Sequence, residues 1–473
     1  MNPFRLFSSS LYFVFLDGVF FLYWPVARVR AASLAVLLFA NYFFYAKWDL
    51  FYLFLIPAAS TCDFLIALGL QRAARQGVRR TLVTLSVLLN LGILASFKYM
   101  PFLLANYSSL TGRPAPAWHW TFPLGISFYT FQSLTYTIDV FRRDARASAS
   151  YLAHLAAVSF FPTTLAGPIT RVAALLPQLE RKDKTLAAGE SGRALFLIGL
   201  GLIKKFMIAD YLAENLVNRV FDLPRLYTAA ETLIGVYGYA LQLYYDFSGY
   251  TDIAIGSALL LGLKLPANFN RPYAAESVPD FWRRWHITLS NWLRDYLYFS
   301  LPGLRSKWKV FAYTNLAVTM LLGGLWHGAS WNFVLWGLLH GVALALTRLW
   351  QSLRGRRPAS TAAWAKLART FLTAQFVCFA WIFFRAPDLA AALAIVERIA
   401  SLTVSFANIS TPFAVVMAIA VLAHYAPKPV YETGLRIYSR APFYVQAAAL
   451  ALLVIGLQYV AATGAAPFIY TRF

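Results

Sequence analysis

The chain has 473 residues, of which 59% are hydrophobic, 17% are aromatic and only 13% are charged. Soluble domains carry about 25% charged residues, so this composition excludes an ordinary soluble protein and indicates a polytopic membrane protein surrounded by lipid. The net charge of +22 does not indicate a nucleic-acid partner. No nucleic-acid recognition motif accompanies it, and Lys and Arg accumulate in the cytoplasmic loops of membrane proteins.

Apolar runs that approach the roughly 20 residues of a spanning helix recur along nearly the whole chain. They lie at residues 11–26, 32–45, 51–70, 81–97, 122–140, 151–167, 194–212, 232–250, 311–327, 330–349, 371–384, 413–426 and 443–462. This pattern predicts an all-α protein with about eleven transmembrane helices and two or three re-entrant or in-plane helices. Because the runs recur throughout, we expect one membrane-embedded domain over residues 1–473 and no soluble domain.

Clusters of arginine predict how the first helices are oriented. Arg28 and Arg30 follow the first apolar run, and four further arginines lie within residues 72–80, after the third run. The positive-inside rule places both loops in the cytoplasm. The N-terminus is therefore expected on the outer side of the membrane.

Two segments in the middle of the chain carry features that lipid does not tolerate. Residues 122–140 are apolar overall but include the polar side chains Gln132, Ser133, Thr135, Thr137 and Asp139. Because lipid cannot satisfy these groups, we expect the segment to face protein or a wet cavity. Residues 160–171 contain two prolines and a glycine, which predict a broken helix covered by protein or water.

Three further segments mix apolar and polar residues. The lysine pair at 204–205 interrupts an apolar run, and we expect it to snorkel to the cytoplasmic surface rather than to line a cavity. The run at 232–250 carries Tyr245 and Asp246 in an aromatic and polar stripe, which could line a tunnel or form an interfacial belt. Residues 252–265 are too short to span comfortably.

The first of two histidine motifs covers residues 280–296, which read DFWRRWHITLSNWLRDY. Ser277 begins a capping box, so a helix is predicted to start there. An apolar face at steps of three and four residues is formed by Trp282, Trp285, Leu289, Trp292 and Tyr296. The charged residues of this stretch favour an in-plane or re-entrant helix, with His286 beside its aromatic face.

The second motif covers residues 321–333, which read LLGGLWHGASWNF. His327 lies here within a long apolar run, near a helix end and next to small residues that allow a substrate to approach closely. An ionisable residue at membrane depth is costly and is therefore a functional candidate. His340 lies further along the next helix and is interpreted as a packing or interface residue.

Histidine can remove a proton from a hydroxyl group near neutral pH, which contributes typically ~10²–10⁴ in rate. We expect His286 and His327 to meet inside the membrane and to serve acyl transfer to a hydroxyl. Either Asn291 or Asn332 could orient the acceptor or stabilise an oxyanion. Taken alone, either histidine is more often a hydrogen-bonded structural residue than a catalyst. No GxSxG or phosphate-binding glycine motif occurs, and no metal site is expected.

Residues 281–290 and 325–333 resemble the two signatures of the membrane-bound O-acyltransferase family. Among its branches, the bacterial alginate O-acetyltransferases are the most similar, and the D-alanyl transferases of teichoic acid synthesis are more distant. Supporting matches lie at residues 160–162, 166–169, 245–252 and 268–273. The resemblance runs over residues 122–385 and is highly specific.

The resemblance implies a ring of tilted helices around a thin central region, with a tunnel that joins the two faces of the membrane. It makes His327 the counterpart of the family's invariant histidine and His286 that of its second active-site histidine. The donor would arrive from the cytoplasm as a thioester of coenzyme A, such as acetyl-CoA, or of a carrier protein. No bound cofactor is expected. The acyl group would pass outward to a partner protein or a glycan.

The leading hypothesis is an inner-membrane acetyltransferase that serves O-acetylation of an exported polysaccharide, such as alginate, or of peptidoglycan. The N-terminus would then be periplasmic, and a periplasmic acetyltransferase of the same pathway would be a partner. His327 is the expected general base or acyl-handling residue, with His286 as its partner. Weaker candidates for the pocket are Trp282, Tyr245, Asp246, Asn332, Trp326 and Asn291.

Three alternatives remain open. The chain could be an acyl-conducting scaffold for a separate periplasmic transferase. It could transfer D-alanine to teichoic acid. It could also be a transporter of an anionic solute, which its intramembrane polar residues and its charge of +22 would suit.

Overall fold

A computed structural model describes residues 10–46, 52–118, 120, 123, 125–164, 167–304, 308, 310–355 and 360–460. Across these ranges the regular structure is helical, without a β-strand, which confirms the predicted all-α class. Several predictions fall partly outside them: the orientation of the N-terminus, and parts of the apolar runs at residues 51–70, 122–140, 151–167 and 443–462.

The structure divides into two compact units, of which the first comprises residues 1–198 and 251–266. Its helices are α1 Ser10–Val26, α2 Arg30–Ala46, α3 Tyr52–Arg72, α4 Gln76–Leu94, α5 Met100–Thr111, α6 Ile126–Arg142, α7 Tyr151–Val158, α8 Phe161–Thr164, α9 Val172–Glu180 and most of α10 Ala188–Leu202. The prediction of a single domain over the whole chain stays a prediction.

The second unit comprises residues 199–250 and 267–473. Its helices are α11 Asn218–Asp222, α12 Ala229–Leu260 up to residue 250, α13 Val278–Trp282, α14 Ile287–Trp292, α15 Val310–His327, α16 Trp331–Arg354, α17 Ala363–Arg385, α18 Leu389–Ala400, α19 Thr411–Tyr425, α20 Lys428–Arg440 and α21 Phe443–Val460. The segments Ile203–Asp210, Ala213–Val217 and Leu293–Leu297 are π-helical.

By length and composition, four helices in the described ranges could cross a membrane, and a helix pair bent by 94° could form a fifth span. The four are Leu53–Arg72, Gln76–Thr111, Trp331–Arg354 and Ala363–Arg385, and the bent pair is Thr411–Tyr425 with Lys428–Arg440. The prediction of a polytopic protein is confirmed. The predicted number of about eleven spans is higher than this test supports, because several apolar runs form short or interrupted helices.

Helix α6 of the first unit buries its polar side chains inside the protein. Its polar side chains Gln132, Ser133, Thr135, Thr137 and Asp139 are all buried. The amide of Gln132 donates to the carbonyl oxygen of Ala157 at 2.7 Å, inside the protein. The prediction that this segment faces protein is therefore confirmed.

A buried carboxylate on α3 was not among the sequence-based candidates. Asp63 accepts hydrogen bonds from the hydroxyl of Ser86 at 2.6 Å, the amide of Asn90 at 2.8 Å and the hydroxyl of Ser133 at 2.5 Å. Because buried polar groups are costly when unpaired, these three neutral donors make the carboxylate tolerable and join α3, α4 and α6.

Two other segments can be compared directly with their predictions. The break expected within residues 160–171 is confirmed, since α7 ends at Val158 and α8 spans only Phe161–Thr164. A Cβ at Gly167 would overlap the carbonyl oxygen of Pro162, so only glycine fits this turn. By contrast, the two segments predicted between residues 232 and 265 form one helix, α12, which has 32 residues.

Helices α15 and α16 form a hairpin in which the two backbones approach closely. A Cβ at Gly324 would overlap the carbonyl oxygen of Phe333, and a Cβ at Gly337 would overlap that of Met320. Glycine at these positions lets the helices pack backbone against backbone. The hairpin thereby fixes the position of His327, which is the last residue of α15.

Candidate active site

His327 lies in an aromatic cluster built by α15, α16 and α17. Its ring centroid is 5.0 Å from that of Trp326, 5.1 Å from Trp336 and 5.3 Å from Phe384, with interplanar angles of 73–88°. The side chain is 3% exposed. Such edge-to-face contacts hold the imidazole in one orientation, because ring quadrupoles favour this arrangement.

Gly328 continues the chain directly after His327 and defines the small-residue turn predicted from the sequence. A Cβ at this position would overlap the ring of Phe333 on the first turn of α16. The space that glycine leaves is therefore filled by an aromatic side chain of the protein. This packing keeps the end of α15 against the start of α16.

His286 lies at a break in the first motif. The hydroxyl of Ser277 accepts a hydrogen bond from the backbone N–H of Asp280 at 3.3 Å, which confirms the predicted helix start. However, α13 ends at Trp282 and α14 begins at Ile287. His286 between them has φ 41° and ψ 54°, a left-handed conformation. The prediction of one continuous helix is therefore wrong, because a left-handed residue cannot continue a right-handed helix.

The left-handed conformation of His286 is an uncommon feature of the backbone. A non-glycine residue there costs about 1–3 kcal/mol and persists only where the surroundings hold it. Trp285 and Ile287, the two residues that flank His286, do not have positive φ. Strain of this kind concentrates at active sites and ligand clamps, which favours a functional role for His286.

His286 is fully buried and is tied to a neighbouring loop. Its Nδ1 lies 3.1 Å from Oδ1 of Asn268. The backbone N–H of Ile287 donates to the carbonyl oxygen of Asn268 at 2.9 Å. The imidazole also packs edge-on against Phe247, with ring centroids 4.7 Å apart.

The two predicted histidines are related through one indole ring. The centroid of Trp326 lies 6.1 Å from that of His286 and 5.0 Å from that of His327. Trp326 itself is buried. The structure thus brings both histidine motifs to the same aromatic side chain, although their catalytic roles remain predictions.

The ring of Trp336 lies between Trp282 and His327. The indole N–H of Trp282 donates to Nδ1 of His340 at 3.3 Å, and its ring centroid is 5.8 Å from that of Trp336, which contacts His327. His340 is fully buried among aromatic rings, as expected for a packing residue. Trp282 therefore supports the aromatic cluster from the side of α13.

Tyr245 and Asp246 make contacts that join helices. The hydroxyl of Tyr245 donates to the carbonyl oxygen of Ala420 at 2.5 Å. Asp246 lies 2.6 Å from the ammonium of Lys205, which is also 2.8 Å from Asp210. Lys205 is 1% exposed, so the prediction that this lysine snorkels to the surface is wrong. Two carboxylates compensate the buried charge, which makes a solvent-exposed position unnecessary.

The two asparagine candidates lie in different surroundings. The amide of Asn332 donates to the carbonyl oxygen of Ala386 at 2.9 Å and is buried, which ties the start of α16 to the end of α17. Asn291 is exposed on α14, whereas His286 at the start of that helix is fully buried. Asn332 is thus buried where α16 begins and α17 ends, and Asn291 is on the surface.

Three residues that contact the two histidines were not among the candidates drawn from the sequence. Asn268 was noted only within a matching stretch, and Trp336 and Phe384 were not singled out at all. Aromatic residues are too frequent in this chain for composition to mark those two, and Asn268 is too far from His286 along the chain for a local pattern. Within the described ranges, no group of three or more His, Cys, Asp or Glu residues is placed to hold a metal ion.

Comparison with known proteins places both motifs in a recognised family. A sequence model of the membrane-bound O-acyltransferase family matches residues 40–386. This range begins well before residue 122, where the resemblance noted from the motifs starts. The N-terminal helices from the end of α2 onward therefore belong to the matched region.

Individual relatives are similar over most of the chain. A probable alginate O-acetylase of Azotobacter vinelandii is 40% identical over 391 residues, which cover 81% of this chain and 76% of the relative. A peptidoglycan O-acetyltransferase of Helicobacter pylori is 35% identical over 400 residues, covering 79% and 75%. A teichoic acid D-alanyltransferase of Streptococcus thermophilus is 28% identical over 291 residues, covering 55% and 68%.

Proposed function

Because the chain belongs to the membrane-bound O-acyltransferase family, we propose that it moves an acetyl group from a cytoplasmic thioester across the membrane for O-acetylation of an exported polysaccharide or of peptidoglycan. The observation that carries this proposal is the contact of Trp326 with both His286 and His327. Relatives that are 40% and 35% identical to this chain are named as a probable alginate O-acetylase and a peptidoglycan O-acetyltransferase, which favours acetyl as the group transferred.

The proposed reaction needs one proton acceptor. As the acceptor hydroxyl attacks the thioester carbonyl, an O–C bond forms and the C–S bond breaks. His327 accepts the hydroxyl proton and returns it to the departing thiolate, so that the products are an ester and a thiol. His286 assists from the other side of Trp326. A positioned base of this kind contributes typically ~10²–10⁴ in rate.

The donor, the partner and the location belong to the same proposal. We expect acetyl-CoA or an acetylated carrier protein as donor, delivered from the cytoplasm to a protein of the bacterial inner membrane with a periplasmic N-terminus. The acceptor is a membrane-associated glycan, reached directly or through a periplasmic acetyltransferase of the same pathway. The D-alanyltransferase relative supports a second candidate, D-alanyl transfer to teichoic acid, at lower identity and coverage.

Inverted membrane vesicles test the proposal, since they expose the cytoplasmic face to added radiolabelled acetyl-CoA. We expect His327→Gln to lower the label reaching the glycan by ~10²-fold or more. Acetylated carrier protein, added in a parallel sample, shows which thioester is used. Labelled D-alanine on its own carrier tests the second candidate.

His154 offers a matched control for this experiment. It is another fully buried histidine, in the first unit, and its Nε2–H donates to the carbonyl oxygen of Ser60 at 3.1 Å. Glutamine can make the same donation, so His154→Gln should transfer label at nearly the intact rate. Equal transfer by the intact protein and by His327→Gln, at equal protein levels, would contradict the proposal.

A further inference from the structure

Asn268 makes a set of hydrogen bonds that converge on one atom. Its Oδ1 accepts from the backbone N–H of Thr288 at 3.2 Å and from the Thr288 hydroxyl at 2.9 Å, and it lies 3.1 Å from Nδ1 of His286. The Asn268 side chain is 1% exposed. These contacts place one amide oxygen against the start of α14 and against the imidazole at the same time.

The partners of this atom determine which nitrogen of His286 carries the proton. A backbone N–H can only donate, so the Asn268 atom that faces Thr288 must be the oxygen and not the nitrogen of the amide. An amide oxygen can only accept, so the Nδ1 of His286 must donate to it. The neutral imidazole therefore carries its proton on Nδ1 and its lone pair on Nε2.

The backbone around His286 is held by the same loop. The N–H of Ile287 donates to the carbonyl oxygen of Asn268, and the N–H of Asn270 donates to the carbonyl oxygen of Arg284, each at 2.9 Å. Residues 268–270 thus bracket the left-handed residue on both sides. The loop fixes the position of the ring, and the Asn268 side chain fixes its protonation.

The geometry points to Asn268 as a positioning residue that holds His286 as the Nδ1-protonated tautomer, so that Nε2 of His286 is a hydrogen-bond acceptor when this residue assists His327, the base of the proposed reaction. This inference rests on the proposed acyl transfer. Asn268 acts only through the histidine and contacts no reacting atom in this role. In the other tautomer, Nε2 would carry a proton and could not accept a hydrogen bond.

Two isosteric variants of Asn268 and one control separate this role from a structural one. Asn268→Leu removes the acceptor, whereas Asn268→Asp keeps an oxygen that can accept from Nδ1–H. Thr288→Val removes one donor to the same oxygen and leaves the bond to His286 in place. We expect Asn268→Leu to lower kcat roughly 10²-fold with little change in KM for the donor. Thr288→Val should stay near the intact rate, and Asn268→Asp should recover part of the loss.

The tautomer itself can be read by nitrogen NMR of the protein labelled at its six histidines, with the His286 signal identified by its loss in His286→Gln. The inference predicts a protonated Nδ1 in the intact protein and a mixture of tautomers in Asn268→Leu. This readout does not depend on activity and requires only that the variant is folded. It also stands if the intact protein transfers no acetyl group, which would overturn the proposed function alone.

Two results would overturn the inference while acyl transfer remained. One is a proton on Nε2 of His286 in the intact protein. The other is a loss of kcat in Thr288→Val as large as in Asn268→Leu, because Asn268 would then serve the loop rather than the imidazole.

Discussion

Trp326 is the side chain that relates the two histidines of the candidate site. Its indole lies edge-on to His327 and contacts His286 from the other motif. Interiors are packed as densely as organic crystals, so a buried indole between two imidazoles fixes both their separation and their orientation. At the scale of single residues, the proposed chemistry therefore depends on a side chain that itself exchanges no proton.

Replacing Trp326 should separate packing from chemistry. Trp326→Ala leaves a cavity beside both histidines and should destabilise the protein by about 3–5 kcal/mol while lowering acyl transfer strongly. Trp326→Phe keeps a ring against both imidazoles and should retain more of both properties. The measurements are thermal unfolding in detergent and transfer of labelled acetyl groups. An alanine variant with the intact rate would show that the indole does not position the histidines.

The sequence was sufficient to single out both histidines as candidates, because each lies in a motif with unusual neighbours. It could not reveal that His286 is left-handed or that Asn268 contacts it. Local spacing predicts a helix through His286, whereas hydrogen bonds from the distant loop at residues 268–270 hold this residue out of a helix. Conformations enforced by tertiary contacts leave no periodic signal in the chain.

At the scale of elements, the hairpin of α15 and α16 determines where His327 lies. Gly324 and Gly337 allow backbone contact along the hairpin, and Gly328 admits the ring of Phe333 at its end. In a membrane, where apolar surface gains little from leaving lipid, such close packing is a main source of helix association. The position of His327 is therefore a consequence of small residues on both helices.

The adjacent glycines of α15 provide a matched pair of variants. A Cβ at Gly324 would overlap the backbone oxygen of Phe333, whereas at Gly323 it would lie 3.1 Å from the terminal methyl of Leu293, a side chain that can shift. Gly324→Ala should cost about 1–3 kcal/mol or more and lower acyl transfer, and Gly323→Ala should cost little. Thermal unfolding and transfer assays of both variants check this. Equal tolerance of both changes would mean that the hairpin packs less closely than described.

The boundaries of helices were predictable where residues at the boundary itself mark them. The capping serine at 277 and the prolines of residues 160–171 mark boundaries that the structure confirms. The lysine at 205 was assigned to the surface because its partners, Asp210 and Asp246, cannot be recognised as such without the packing of the helices. A buried ion pair is a tertiary feature, and side-chain composition alone favours the wrong location.

At the scale of the whole molecule, the composition and the family match indicate the same fold class. The low content of charged residues predicted a polytopic helical protein, and the family match over residues 40–386 is consistent with that fold class. The number of spans was less predictable, since apolar runs do not show which helices are short, bent or interrupted by π-helical turns. The second unit contains both histidines and every residue shown to contact them, which is the basis for treating them as one site.

The central claim is that His286 and His327 act as one catalytic unit. Its most direct test is the rate of acetyl transfer by the purified protein in proteoliposomes for His286→Gln, His327→Gln and the double variant. Residues that act as a unit lose little more together than singly, so we expect the double variant to match the slower single variant. Losses that multiply in the double variant, or an intact rate in either single variant, would contradict the account.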